Sequence, residues 1–366
     1  MQRSINKYHN IGDAFVHDSS LKLLDYDTVD VLEIAEFSQA EVDRCNAEYD
    51  FVFLRGSNYL HSTMEWRSTY DIVKRLKIPV IAFGIGAQAP SKGTLALSDQ
   101  TKEVMRAMAD HCVTMGVRGI YTADALWSIG VKNVRIIGCP TLYRRNDPEN
   151  RIELPSLDTV KQMGYTLRRE VSSTYSPDIV RYLSLQRESI LTLAGRFDVT
   201  VMAQGEIEEK KIVFGTPEQR EEAMTELANH RWFQGEDDPM RKIYRERLFY
   251  SDVVAEYDAI VKRQQLVLGY RLHGNLIALA NGIPSVYFTY DSRTAEFVET
   301  FQIPAFDVYK GEPFDLDAYW DQARFEKFNR ACWRGYREMK RFLDENGLAN
   351  KMHADVPGKA PLQHAA

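Results

Sequence analysis

Leu266 to Arg293 reads LVLGYRLHGNLIALANGIPSVYFTYDSR. Leu266, Val267 and Leu268 are a short apolar run that predicts a buried strand. Asn275 to Asn281 predicts a helix stopped by Gly282 and Pro284, and Ser285 to Tyr290 the next strand. Arg271, His273 and Gly274 fall between the first strand and the helix. Open α/β sheets bind ligands at the carboxyl ends of their strands, which makes this turn a candidate site. The free N–H groups that begin a helix, with Arg271 beside them, favour an anion such as phosphate or carboxylate.

The same unit recurs outward from this stretch. Upstream, Tyr165 to Leu167 predicts a strand running into Arg168 and Arg169, followed by a helix over Asp178 to Leu193 and a strand over Val199 to Met202. Thr216 to His230 and Ser251 to Val261 predict helices, the second with Ser251 as N-cap. Nearer the start, Asp50 to Leu54 and Pro79 to Phe83 are strands that each enter a glycine-containing loop, and a strand over Val134 to Ile137 follows a helix over Thr122 to Ile129. Polar, proline-bearing Asn146 to Pro155 is the best linker. The alternation predicts an α/β fold of two Rossmann-like domains facing a central cleft, over residues 1–148 and 156–315. A C-terminal helix over 316–348 should pack back across both domains, with a disordered tail over 353–366. Its WRGYREMKRF section has the make-up of a membrane-surface helix, although aromatics at helical spacing more often face a core.

Several loop residues extend the candidate site. In YHNIGDAF, Asn10, Gly12 and Asp13 form a polar turn that opens a helix; Gly12 permits close approach, and Asp13 suits an N-cap or a ligand hydroxyl. Gly84 and Gly86 lack the third glycine of a dinucleotide fingerprint, so a nicotinamide site is not indicated. Gln88 beyond them suits either a substrate or its own loop. Arg118, between a strand and a helix, suits an anion or an ion pair. Asp291 suits sugar hydroxyls, a base or a turn cap. His273 suits proton transfer near neutral pH, or a backbone cap.

Composition narrows the function classes. A chain of 366 residues with 44% hydrophobic and 27% charged residues is an ordinary globular protein with room for two cores. A net charge of -6 without a basic run argues against nucleic acid as the main partner. Cys45, Cys112, Cys139 and Cys332 are widely spaced, which suggests neither a zinc site nor a disulfide framework, and no metal-ligand cluster is visible. No apolar run approaches the ~20 residues of a bilayer span, and MQRSINKYHN lacks the apolar core of a signal peptide. The expected location is the cytoplasm, with contact at the inner face of a membrane left open.

Taken in order, NIGD at Asn10 to Asp13, GIGAQ at Gly84 to Gln88, Val117-Arg118, GYTLR at Gly164 to Arg168 and above all GYRLHGNLIALANGIPSVYFTYD at Gly269 to Asp291 resemble the polysaccharide pyruvyl transferase family. The resemblance implies a glycosyltransferase-B-like fold and no cofactor. The implied donor is phosphoenolpyruvate, whose pyruvyl group becomes a ketal on two hydroxyls of a lipid-linked or nucleotide-linked sugar in a cell-surface or exopolysaccharide precursor. It also implies that Arg271 and His273 bind the donor or move protons and that Arg168 grips the donor, with the acceptor on the first domain and the donor on the second. The Asp-Pro that many relatives carry after the last strand of the first domain is here GCPTLY, and the doublet Arg168-Arg169 leaves the donor-binding arginine open. A glycosyltransferase with a nucleotide-sugar donor and a non-catalytic sugar- or anion-binding module are the competing readings.

Overall fold

A computed structural model describes residues 10–32, 37–62, 66–93, 95–173 and 175–353. The tail expected to be disordered lies, beyond His353, outside the described residues.

Two parallel sheets organise the chain. The first has β1 (Val52–Arg55), β2 (Val80–Ile85), β3 (Met115–Val117) and β4 (Val134–Ile136) in sequential order. The second comprises β5 (Gln162–Thr166), β6 (Asp198–Met202), β7 (Leu248–Phe249), β8 (Leu266–Gly269), β9 (Ser285–Thr289) and β10 (Ala305–Asp307). Its order is β10-β9-β8-β5-β6-β7, all parallel, with β5 paired to both β6 and β8. Read from β7 this is the doubly wound order, whose direction reverses between β5 and β8. The α/β reading with two Rossmann-like units therefore holds. β2, β8 and β9 are buried along their whole length, as strands covered on both faces must be.

Most helices follow their local signals, but the one expected from Asn275 starts three residues earlier, at Leu272, and takes in His273 and Gly274. Asp178 caps Ile179–Ala194, and Thr216 forms a capping box with Gln219 at the head of Pro217–Asn229. Ser251 does not cap its helix, which begins at Val254. Its hydroxyl instead accepts the Val253 N–H at 3.0 Å and donates to Glu256 at 2.6 Å, a turn that delays the helix.

Two helices exchange sides. The Ile11–Leu23 helix, early in the chain, packs Ile11, Ala14 and Phe15 against Met202, Tyr257, Val267 and Ile277 of the second domain. The Gln322–Glu345 helix runs back to the first, where Arg135 of β4 pairs with Glu338 and Glu345 and Phe342 stacks on Phe83 at 5.6 Å. Segment 146–155 between the sheets is itself packed: Ile152 is fully buried, and its N–H donates to Asn329 at 2.8 Å. No helix among the described residues is long and apolar enough to cross a membrane.

Candidate active site

The strand order reverses between β5 and β8, and it is at the carboxyl ends of the strands beside such a reversal that open parallel sheets receive ligands. Arg168 follows β5, and Arg271 and His273 follow β8. Thr166 ties the two ends together: its hydroxyl accepts the Arg271 N–H at 3.2 Å and donates to Asn275 at 2.9 Å. Gly274, expected to contact substrate, is buried in this packing. A Cβ there would lie 2.4 Å from Gln204 Nε2 and 2.8 Å from Thr166 Cγ2, so the missing side chain lets the Leu272–Ala280 helix settle onto the sheet.

The arginines divide into committed and uncommitted groups. Arg271 donates through Nε to the Leu167 carbonyl at 3.0 Å and through a terminal nitrogen to Glu206. Glu206 is fully buried and also accepts the Gln204 and Gly205 N–H groups, each at 3.1 Å. Burial alone would raise its pKa, yet Arg271 and these amides hold it below the ordinary value. Arg271 is thus fixed in orientation with its charge compensated. Arg169 is taken up by Glu208 and by Glu209, the latter at 2.9 Å. Arg168 forms no ion pair among the described residues, and its buried Nε has no hydrogen-bond partner. Its guanidinium carbon lies 5.3 Å from the Tyr290 ring centre.

Arg118, at the end of β3, is the counterpart in the first domain: 3% exposed, with no ion pair among the described residues. Its Nε donates to the Gly84 carbonyl at 3.2 Å, and a terminal nitrogen donates to Asn58. Asn58 donates in turn to Gln88, and Gln88 donates to Asp291 at 2.9 Å. Asp291 also meets Arg293 at 3.5 Å and caps the Ser292–Phe301 helix through the Thr294 N–H at 2.8 Å. Gln88 and Asp291, expected at the ligand, therefore form a polar bridge between the domains. A second crossing lies nearby. Glu296 reaches the N-terminus of the Ile120–Ser128 helix, accepting the Thr122 N–H at 2.6 Å and the Thr122 hydroxyl at 3.0 Å. Gly119, the N-cap, has no side chain, and a Cβ there would lie 2.5 Å from Glu296 Cγ.

His273 sits among these groups with its Nε2 buried and without a hydrogen-bond partner. A Cβ on Gly12 would lie 2.9 Å from its Nδ1, so only glycine lets the early loop close over the ring. Asn10 caps the Ile11–Leu23 helix by accepting the Gly12 N–H at 3.0 Å, and Asp13 meets Arg55 at 3.4 Å. Burial foremost, then the fields of Arg118, Arg293, Arg55 and Arg271, hold the His273 imidazole well below its ordinary pKa. It is neutral at physiological pH and able to accept a proton. Sequence reasoning passed over Arg55, although it ends β1 much as Arg118 follows β3. Asn58 and Glu206 carried no such signal, and Arg293 is buried.

The model of the family described as polysaccharide pyruvyl transferase matches residues 10–292, which include Arg118, Arg168, Arg271, His273 and Asp291. The chain belongs to that family. For this pyruvyl transferase relative no curated protein matches in sequence. Among solved structures, the chain is similar to an alpha,alpha-trehalose-phosphate synthase (UDP-forming) from Burkholderia vietnamiensis at 14% identity and a TM-score of 0.42, covering 94% of this chain and 85% of that one. A trehalose-6-phosphate structure from E. coli bound with UDP-2-fluoro glucose gives 10% identity and a TM-score of 0.47, covering 85% and 77%. The UDP-GlcNAc 2-epimerase of Methanocaldococcus jannaschii, in complex with UDP-GlcNAc and UDP, gives 12% and 0.39, covering 86% and 75%. These likenesses are loose, and the ligands named belong to those proteins alone.

Proposed function

We propose that the protein transfers the pyruvyl group of phosphoenolpyruvate to two hydroxyls of one sugar, forming a ketal and releasing phosphate. The observation that carries this reading is the pair of guanidiniums without carboxylate partners among the described residues, Arg168 after β5 of the second domain and buried Arg118 after β3 of the first, with His273 held in the field of Arg118. Phosphoenolpyruvate carries a phosphate and a carboxylate on one short frame, and two separated guanidiniums suit it by charge-assisted hydrogen bonds. Arg271, held still by Glu206, supplies a preorganised positive edge rather than a mobile clamp.

The chemistry balances without a redox partner. A first sugar hydroxyl adds its oxygen to C2 of the enol while its proton passes by way of His273 to C3, which becomes a methyl group. The second hydroxyl then forms its own bond to C2, the C2–O bond to phosphate breaks, and the hydroxyl proton leaves with the phosphate. An anion seated among the arginines offsets the field that depresses His273 and makes it a better base when donor is present.

The test is phosphate release from phosphoenolpyruvate with a panel of sugar acceptors, alongside donor binding followed by thermal shift. The reading predicts stabilisation by phosphoenolpyruvate and its loss in Arg168→Ala. Stabilisation by nucleotide sugars but not by phosphoenolpyruvate would replace it with a glycosyltransferase, and binding without turnover in both wild type and His273→Ala would replace it with a binding module.

A further inference from the structure

We propose that the outer face of the Gln322–Glu345 helix docks the protein onto an anionic lipid surface. Between residues 324 and 341 every exposed position of this helix is Arg324, Lys327, Arg330, Trp333, Arg334, Arg337 or Arg341. Recurring at intervals of three and four, the cations share a stripe about 26 Å long at 1.5 Å per residue. In a chain of net charge -6, such a stripe is a local inversion of sign. Lys327, Arg330 and Arg334 form no ion pair among the described residues. Of the carboxylates on this helix, Glu326 and Glu338 are half-buried at the flanks of the stripe, Glu326 facing Arg151 at 3.1 Å and Glu338 shared by Arg135 and by Arg341 at 3.2 Å, while exposed Asp344 lies beyond its end and pairs with Lys340 at 2.9 Å.

Trp333 gives the stripe an anchor. It is 38% exposed, with the Arg337 guanidinium 4.9 Å from its ring centre. Indole rings favour the headgroup level of a bilayer, where clustered cations also meet anionic lipid. The opposite face cannot take part, because Phe325, Phe328, Met339 and Phe342 are core residues. Attachment is therefore shallow, mainly electrostatic and sensitive to salt. The convex back of a packed helix offers nothing that enters a groove, which favours a lipid surface over a nucleic-acid duplex. Since the helix packs on the Ser292–Phe301 helix of the second domain and pairs with Arg135 of the first, both domains are carried to the surface with it. The inference stands independently of the donor assigned to the site.

Co-sedimentation of the full chain tests it, using phosphatidylcholine vesicles with and without about one third phosphatidylglycerol, at low and high salt. Binding to the anionic vesicles alone, released by salt, is expected. The double variant Arg330→Gln, Arg334→Gln should bind about thirtyfold more weakly, with melting unchanged. Trp333→Ala should weaken binding to the anionic vesicles at low salt. Equal pelleting with neutral vesicles, no binding at all, an unaffected double variant, or duplex DNA bound as tightly as the anionic vesicles would each overturn the proposal.

Discussion

Replacing Glu296 by glutamine should make the protein more stable at alkaline pH. Glu296 is 1% exposed and caps a helix of the opposite domain. Burial, the largest cause, pushes its carboxyl from 4.5 up to about 7, against the pull of Thr122, Arg118 and Lys92. Lys92 is itself paired with Glu299, and Tyr121 on the capped helix feels the Glu296 charge. In the unfolded chain the group returns to its ordinary value, so the folded state binds the proton more tightly. The stabilisation is then fully present below pH 4.5 and is lost as pH rises through about 7. The pKa difference of about 2.5 units corresponds to roughly 3 kcal/mol at most. Glutamine keeps an oxygen for the Thr122 N–H and carries no charge to desolvate, which removes this slope. Urea unfolding of wild type and Glu296→Gln between about pH 5 and 8.5 measures it, with the curves diverging upward for the variant. A variant less stable than wild type at pH 8, as expected if the anion itself were valuable at a helix N-terminus, would refute the reasoning.

Four further substitutions separate the roles of neighbouring groups. Arg168→Ala should raise the KM for phosphoenolpyruvate by roughly 30- to 100-fold with little change in melting, whereas Arg169→Ala strands the buried Glu209 and should cost about 3 to 5 kcal/mol in stability, measured by denaturant unfolding. Gly12→Ala places a methyl group 2.9 Å from His273 Nδ1, and steady-state kinetics should show kcat falling at least about tenfold while KM stays near wild type. Glu206→Gln leaves Arg271 without its counter-ion; phosphate release should fall while donor binding by calorimetry tightens slightly, because one more positive charge faces the anion.

The parts of this site that were legible in the sequence are those where function and strand end are neighbours along the chain. Arg118, Arg168, Arg271 and His273 each stand within a few residues of a strand terminus, and parallel sheets present those ends together. Arg55 obeyed the same rule and was overlooked. Partnership was not legible, because it depends on residues brought together by the fold. Gln88 and Asp291 are 203 positions apart, each stands in a loop just after a strand where a ligand contact was expected, and only the closed interface shows them bonded to each other. Arg168 and Arg169 are adjacent and chemically identical, yet two glutamates on the following helix claim the second alone. Ser251 had the chemistry of a helix cap, but its bond to Glu256 sets the helix start at Val254 instead. The charged and aromatic run from Arg231 to Arg247 shows no clear period, yet it contains a regular helix, Pro239–Arg247, capped by Asp238.

The exchanged helices bear on how the two halves can be separated. Cutting the chain near Asn150 would give a first fragment carrying the Ile11–Leu23 helix, whose apolar face belongs to the second domain. The second fragment would keep the Gln322–Glu345 helix, which covers Phe83 of the first. Each fragment would expose the surface that its counterpart was meant to hide. The halves should be poorly soluble when expressed singly and should reassemble when produced together, a split enzyme whose two pieces hold each other's missing part.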